Sequence, residues 1–158
     1  MFEQAIKSLE HRIPPPLVAL IMGVAMWPIS LLTPVLHVPR ALRIGVALAL
    51  AATGFVIAFS GFLAFRRAKT TVNPVQIDAA SSLVTASVYR FTRNPMYFGL
   101  TSLLLGLTVF LAAPVALIGP ITFVLFTTRF QILPEERLLQ TKFGQAYADY
   151  RQKVRRWI

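Results

Sequence analysis

The sequence predicts an all-α integral membrane protein with about four transmembrane helices, a cytoplasmic connector and a C-terminal amphipathic helix. Of its 158 residues, 56% are hydrophobic and 14% charged, which is too apolar for a water-soluble domain of this size. The apolar runs approach the ~20 residues that a helix needs to cross a bilayer. Basic residues lie at the ends of these runs, where residues that set membrane topology are found.

Composition also limits the possible functions. The chain carries 16 basic and 6 acidic residues, and the basic ones follow the ends of apolar runs instead of forming a stripe on a soluble domain. That pattern favours anionic membrane lipids as partners and argues against nucleic acid. The chain has no cysteine and only two histidines, so we expect no disulfide, thiolate nucleophile or metal site. Any chemistry must rely on carboxylates, arginines, tyrosines and backbone groups.

Residues 1–69 are predicted to form an N-terminal surface helix and two transmembrane spans. Apolar residues recur at helical spacing at the start, at Phe2, Ile6, Leu9 and Ile13. This pattern suits a helix lying on the membrane surface, and a frayed terminus is an equally good interpretation. The first span is predicted at Leu17–Leu36, with Pro28 and Pro34 kinking its far end. The second is predicted at Ile44–Phe65, where glycines and alanines would let helices pack closely.

Residues 70–158 are predicted to hold a connector, a helical hairpin and a cytoplasmic helix. The connector, Thr70–Gly99, is polar and contains two Asn-Pro breaks. Met96–Phe126 is apolar but interrupted near Pro114, which favours two short spans over one long tilted helix. With both termini and the connector on one side of the membrane, that side holds 14 of the 16 basic residues. The positive-inside rule therefore places them in the cytoplasm, as in a bacterial inner-membrane protein.

The C-terminal tail is predicted to be one amphipathic helix that begins at Pro134. Apolar and aromatic residues recur along it at steps of three and four, at Leu139, Phe143, Tyr147, Tyr150, Val154 and Trp157. Basic residues at its end, including Arg155 and Arg156, are interpreted as membrane anchors, as are Arg66, Arg67 and Lys69. The adjacent Glu135 and Glu136 have two interpretations by chemistry alone: acids that start a helix, or ligands for a cation.

Several motifs in a fixed order carry a family resemblance. The order is L-V-T-A-S-V-Y, R-N-P-M-Y-F-G, a helical hairpin, P-E-E-R-L-L and F-G-Q-A-Y-A-D-Y. Over about Thr70–Ile158 this order resembles the isoprenylcysteine carboxyl methyltransferase family and its relatives among membrane phospholipid methyltransferases. The resemblance implies S-adenosylmethionine as cofactor at the cytoplasmic membrane face, and a lipophilic small molecule or lipidated protein as substrate.

The resemblance also implies roles for individual residues. The cofactor site would be formed by Leu83, Val84, Tyr89, Asn94, Pro95, Met96, Tyr97, Glu135 and Glu136. Arg93 and Arg129 are the candidates to act on an acidic substrate. An isoprenylcysteine-type carboxylate is the preferred acceptor because it has no proton to lose at neutral pH. A phospholipid amine, a small hydrophobic thiol, or a non-catalytic membrane protein are the alternatives, and the oligomeric state stays open.

Overall fold

The computed structural model describes Glu10, residues 13–68 and residues 82–158. Most of the predicted N-terminal surface helix and residues 70–81 of the connector lie outside the described residues. Within the described part the protein is helical and has no strand, as the sequence predicts. Its α-helices are α1 (Pro15–Ser30), α2 (Arg40–Arg67), α3 (Pro95–Leu111), α4 (Ile118–Thr127) and α5 (Leu133–Lys153).

Short irregular turns link these helices. A 3₁₀ turn, Ser87–Arg90, precedes α3, and a second one, Pro114–Leu117, precedes α4. A π-helical turn, Thr128–Ile132, joins α4 to α5, so the chain is helical from Pro114 as far as a kink at Gly144, and again from there to Lys153. The predicted start of the tail helix at Pro134 agrees to within one residue with α5, which begins at Leu133 and continues the preceding helical segment. Because Pro134 lies in the first turn of α5, its missing N–H is tolerated there.

The first apolar helix is shorter than predicted. It begins at Pro15, where proline suits the first turn because its N–H would have no partner there anyway. It ends at Ser30, not at Leu36. Pro28 already removes one backbone donor from the last turn, and Pro34 disfavours the α conformation at the residue before it. The predicted kink by Pro34 is thus replaced by the end of the helix.

Glycines let α2 and α3 pack closely, and we call this contact the glycine seam. A Cβ atom added to Gly54 would lie 2.6 Å from the carbonyl oxygen of Gly99, and one added to Gly106 would lie 2.9 Å from that of Ala47. Such distances leave no room for a larger residue. The sequence-based interpretation of small residues as packing positions is confirmed at this seam, whereas a Cβ at Gly45 would contact nothing within 4 Å.

The hairpin of α3 and α4 is two helices, not one. Ala112 ends α3 in the left-handed conformation, with φ 52°, and its carbonyl oxygen accepts a hydrogen bond from the Leu36 amide at 2.8 Å. Arg43 donates to the carbonyl oxygen of Phe110 in the last turn of α3. The break lies where the sequence predicts it, beside Pro114. A buried apolar core joins this hairpin to α1, at Val18, Ala19, Met26, Leu104, Leu111, Ala113, Ala116 and Phe123.

Two helical segments of the described residues are long and apolar enough to cross a membrane. They are α2 and the continuous helix Pro114–Lys153, whereas α1 and α3 are apolar but shorter. Along α2, Leu48, Phe55 and Val56 are 64%, 64% and 60% exposed. Exposure of so much apolar surface to water is unfavourable, whereas contact with lipid is favourable. The chain is accordingly a membrane protein.

The tail is not one straight helix as far as Trp157. Gly144 interrupts it with φ 51° and ψ −122°, a conformation that side chains other than glycine rarely adopt. The helix ends at Lys153, and Val154 is extended. Tyr147, Tyr150 and Val154 form a buried cluster against Leu83. The predicted continuous face is therefore broken twice, and its aromatic part packs against the rest of the protein.

Candidate functional site

A cavity of about 330 Å³ lies between the 3₁₀ turn, the start of α3, α5 and the start of α1. It contains every sequence-predicted site residue except Arg129. Those residues are Leu83, Val84, Tyr89, Arg93, Asn94, Pro95, Met96, Tyr97, Glu135 and Glu136. Residues that the sequence did not single out for the site complete it: Pro15, Pro16, Phe65, Ser82, Leu100, Ile132, Leu139, Tyr147 and Tyr150. The volume falls in the range typical of small-molecule sites, ~300–1,000 Å³.

The 3₁₀ turn fixes Tyr89 in the cavity wall. The Tyr89 ring meets Phe65 edge to face, with ring centroids 5.4 Å apart, and its carbonyl oxygen accepts a hydrogen bond from the Tyr150 hydroxyl at 2.7 Å. Burial raises the pKa of the Tyr89 phenol well above its ordinary value, so the hydroxyl stays protonated. The turn begins at Ser87 with φ 58°, which is unusual for a residue with a side chain.

Glu135 lines the cavity with only a neutral partner. The Tyr97 hydroxyl donates to Glu135 Oε1 at 2.5 Å, and Tyr97 itself is buried in the first turns of α3. Among the described residues no arginine or lysine forms a salt bridge with Glu135. A carboxylate in this setting is well suited to bind a positively charged or hydroxyl-bearing group of a ligand.

Glu136 is neutralised by two arginines. Arg93 Nη1 lies 2.9 Å from Glu136 Oε1, and Arg156 donates from Nε to Oε1 at 2.9 Å and from Nη2 to Oε2 at 2.8 Å. The hydrogen bonds to Glu136 raise the pKa of Arg156. The prediction that Arg156 is a membrane anchor is therefore wrong, because its guanidinium faces a buried carboxylate of the protein. No signal in the sequence distinguished Arg156 from its basic neighbours.

The C-terminal segment, residues 154–157, holds the R-N-P motif in place. The Arg93 amide donates to the Arg155 carbonyl oxygen at 3.1 Å, and Asn94 Nδ2 donates to the Arg156 carbonyl oxygen at 2.9 Å. The Thr92 hydroxyl also donates to the Arg156 carbonyl, at 3.3 Å. Asn94 is thus a buried structural link to the tail as well as part of the cavity wall.

Arg129 lies outside the cavity lining, in the π-helical turn. Its Nη1 is 3.2 Å from Glu10 Oε1, and Arg137 Nη2 is 2.8 Å from Glu10 Oε2. The Arg129 side chain is 45% exposed. Nearby, Gln131 donates to the carbonyl oxygen of Ile13 at 3.0 Å. These contacts fasten the chain just before α1 to the turn between α4 and α5, and Arg129 takes part in them.

The arrangement offers a ligand two opposite charges between apolar walls. Arg93 is almost buried, with a side chain 10% exposed, and its Nε has no hydrogen-bond partner. Glu135 supplies a carboxylate without a cationic partner. Apolar and aromatic side chains such as Leu83, Val84 and Leu139 form the remaining wall. These groups fit S-adenosylmethionine, which joins a flat nucleoside to a zwitterionic amino-acid end. Within the described part of the chain, no three His, Cys, Asp or Glu side chains form a metal-binding group.

The model of the phospholipid methyltransferase family matches residues 42–146 of the chain. This stretch contains α2, the R-N-P motif, the hairpin and Glu135 with its neighbours. The chain belongs to the phospholipid methyltransferase family. The resemblance noted from the motifs is therefore confirmed, and membership of this family supports a membrane methyltransferase.

Individual proteins are also similar to the chain. An uncharacterized protein of Haemophilus influenzae is 46% identical over 63 residues, which cover 40% of this chain and all of that protein. Probable protein-S-isoprenylcysteine O-methyltransferases from Oryza sativa, of subspecies indica and japonica, are each 32% identical over 112 residues. That alignment covers 69% of this chain and 57% of the rice proteins, so the chain spans just over half of their length. No solved structure matches the chain.

Proposed function

We propose that the protein is an S-adenosylmethionine-dependent methyltransferase that methylates a lipophilic acceptor, with an isoprenylcysteine-type carboxylate as the first candidate. The observation that carries the proposal is the cavity in which a cation-free carboxylate, Glu135, and a buried guanidinium, Arg93, face a common apolar space. The rice relatives, which are named as probable protein-S-isoprenylcysteine O-methyltransferases, support the choice of acceptor.

In this proposal, the residues of the chain bind the cofactor and the acceptor and hold them in position for methyl transfer. Glu135, held by the Tyr97 hydroxyl, would accept hydrogen bonds from the cofactor's ammonium or ribose hydroxyls, and the apolar wall would contact its nucleoside. When bound, S-adenosylmethionine supplies a methyl carbon that an acceptor lone pair attacks as the carbon–sulfur bond breaks, its electron pair remaining on sulfur in S-adenosylhomocysteine. Alignment of the two reactants and exclusion of water then provide most of the rate enhancement.

An apolar groove next to the cavity supports a lipophilic acceptor. The groove, of about 810 Å³, lies between α1 and α3 and is lined by Ala19, Val24, Trp27, Leu103 and Leu107, among other apolar residues. Pro16 and Leu100 line both the groove and the cavity, so the two spaces adjoin. A hydrocarbon tail could lie in the groove while its polar end enters the cavity.

A carboxylate acceptor suits the side chains that line the cavity. It needs no base, and among the described residues that line the cavity there is no histidine, lysine or cysteine. The acidic group of the acceptor would pair with Arg93 or with Arg129. Arg129 lies outside the cavity lining, and its Nη1 already contacts Glu10 Oε1 at 3.2 Å.

We also propose a topology for the methyltransferase. The apolar helices α1, α2 and α3 and the helical segment from Pro114 to Ile132, which contains α4, would supply four spans of a bacterial inner membrane, with both termini and the cavity on the cytoplasmic side. The distribution of basic residues supports this orientation, since 14 of 16 then lie on the cytoplasmic side. Labelling of single cysteines, introduced into a chain that has none, tests it: the cysteine of Gln152→Cys, on the cytoplasmic side, should react with an impermeant reagent only after the membrane is opened.

Isothermal titration of the purified protein with S-adenosylmethionine and S-adenosylhomocysteine tests the proposed cofactor. Binding at one site is expected, and Glu135→Gln should weaken it ~10- to 100-fold, because a charge-assisted hydrogen bond contributes about 1.5–3 kcal/mol. Asp149→Asn is the matched control, since Asp149 is exposed on α5 and accepts only from Gln145 among the contacts recorded for it. The absence of binding by the wild-type protein would refute the proposal and favour a non-catalytic role.

A phospholipid amine is the second candidate acceptor, and the family match itself favours it. Transfer of a labelled methyl group to a farnesylcysteine analogue and to phosphatidylethanolamine, compared under the same conditions, separates the two. Labelled methyl ester is released as methanol by mild alkali, whereas an N-methyl group stays attached. Alkali-stable label in the phospholipid alone would overturn the carboxylate assignment.

A further inference from the structure

Arg156, in the C-terminal segment, contacts two residues of the cavity wall but does not itself line the cavity. Arg156 lies beyond residues 42–146, so the family match gives it no role. Its carbonyl oxygen holds Asn94, and its guanidinium holds Glu136. Both of those residues line the cavity, and Arg156 does not.

The geometry of Glu136 explains what Arg156 contributes. Arg156 engages both carboxylate oxygens of Glu136, which leaves Arg93 a single contact with Glu136, from Nη1 to Oε1. The same Nη1 also donates to the Tyr147 hydroxyl at 3.3 Å, in the cavity wall. Without Arg156, a guanidinium as close as that of Arg93 would pair with both oxygens, since arginine and carboxylate prefer two parallel hydrogen bonds. Arg93 would then turn its donors toward Glu136 and away from the cavity.

The charges lead to the same conclusion. Two arginines and one glutamate give this buried group a net charge of +1, whereas Arg93 with Glu136 alone would be neutral. Arg93 Nε is buried without a partner, which is costly unless a ligand or water satisfies it. The cavity therefore has a guanidinium on one side, at Arg93, and a carboxyl group on the other, at Glu135, and this pair can bind the carboxylate and the ammonium of an amino acid.

We propose that Arg156 is a positioning residue that keeps Arg93 directed at the carboxylate of the bound cofactor's amino-acid end. The proposal rests on the proposed function, because it assumes an S-adenosyl ligand in the cavity. It assigns Arg93 to the cofactor and leaves Arg129 as the candidate for an acidic acceptor. The C-terminal segment thus determines which end of the cavity receives the amino acid.

Two ligands that differ only at the relevant end test the proposal. S-Adenosylhomocysteine carries the amino-acid end, and 5′-methylthioadenosine carries the same nucleoside and sulfur without it. For Arg156→Ala we expect about a tenfold loss of affinity for S-adenosylhomocysteine and unchanged affinity for methylthioadenosine. Arg156→Lys keeps the charge but cannot span both oxygens, and it should show the same selective loss to a smaller extent.

Arg155→Ala is the matched control. It removes a neighbouring positive charge whose side chain is exposed, and it keeps the backbone carbonyl that holds the Arg93 amide. Its affinities for both ligands should equal those of the wild type. Equal losses for the two ligands in Arg156→Lys would show a merely structural role and overturn the proposal, as would no loss for either. A wild-type protein that binds neither ligand would instead refute the proposed function itself.

Discussion

Gly61 links the glycine seam to the cavity, and its replacement by alanine should perturb both. A Cβ atom at Gly61 would lie 2.9 Å from Pro95 Cγ, 3.3 Å from Pro95 Cβ and 3.5 Å from the Tyr89 hydroxyl. The first distance is shorter by ~0.6 Å or more than a favourable carbon–carbon contact. Pro95 cannot move aside easily, because its ring is fully buried at the start of α3 and fixes its own φ. We expect a loss of about 1–3 kcal/mol, the usual cost of overpacking a core.

Thermal unfolding in detergent and S-adenosylhomocysteine titration measure the two consequences of Gly61→Ala. The variant should unfold at a lower temperature and bind the ligand more weakly, because Pro95 and Tyr89 both line the cavity. Gly45→Ala, on the same helix, is the matched control: a Cβ there contacts nothing within 4 Å, so ligand affinity should stay at its wild-type value and the unfolding temperature should not fall, since alanine favours the helix more than glycine does. If Gly61→Ala and Gly45→Ala behave alike, the close packing described at the seam does not exist in the protein.

Two further predictions concern backbone conformations near the cavity. Gly144→Ala should destabilise the protein by about 1–3 kcal/mol and weaken ligand binding, because φ 51° with ψ −122° is strained for alanine and the nearby Tyr147 lines the cavity; an unfolding temperature equal to that of the wild type, measured in the same assay, would refute this. Ser87→Gly should raise the unfolding temperature, since glycine adopts φ 58° without strain, and a fall would show that the Ser87 side chain stabilises the turn.

The sequence predicts the helical class and the composition of the cavity better than it predicts where helices end. R-N-P-M-Y and P-E-E are local motifs, so they could be recognised even though the fold brings them together from 38 residues apart, as in the Tyr97–Glu135 contact. Helix ends depend on tertiary contacts as well as propensity. Thus α1 ends at Ser30, although the apolar run continues to Leu36.

The role of Arg156 could not be predicted, and the reason is general for charged residues near a membrane. Arg155 and Arg156 are identical in type and adjacent, and each would suit a lipid headgroup. Only the extended backbone after Lys153 turns one guanidinium to Glu136 and the other to the surface. The spacing of apolar residues cannot reveal this difference between Arg155 and Arg156, because the helix ends before them, at Lys153.

Glu135 and Glu136 are adjacent and identical in type, but the helix places them in different surroundings. Successive residues on a helix point about 100° apart, so adjacent glutamates cannot share one environment. Glu136 faces Arg93 and Arg156 and is the buried structural member, since removal of its charge would leave two guanidiniums unpaired. Glu135 faces the cavity, and its carboxyl group accepts a hydrogen bond from the Tyr97 hydroxyl. It therefore has no cationic partner until a ligand supplies a positively charged group. The interpretation of the pair as acids that start a helix is confirmed, since both lie in the first turn of α5, whereas the binding of a cationic ligand group by Glu135 stays a prediction. On this division, Glu136→Gln should lower stability first, whereas Glu135→Gln should lower ligand affinity with little effect on stability.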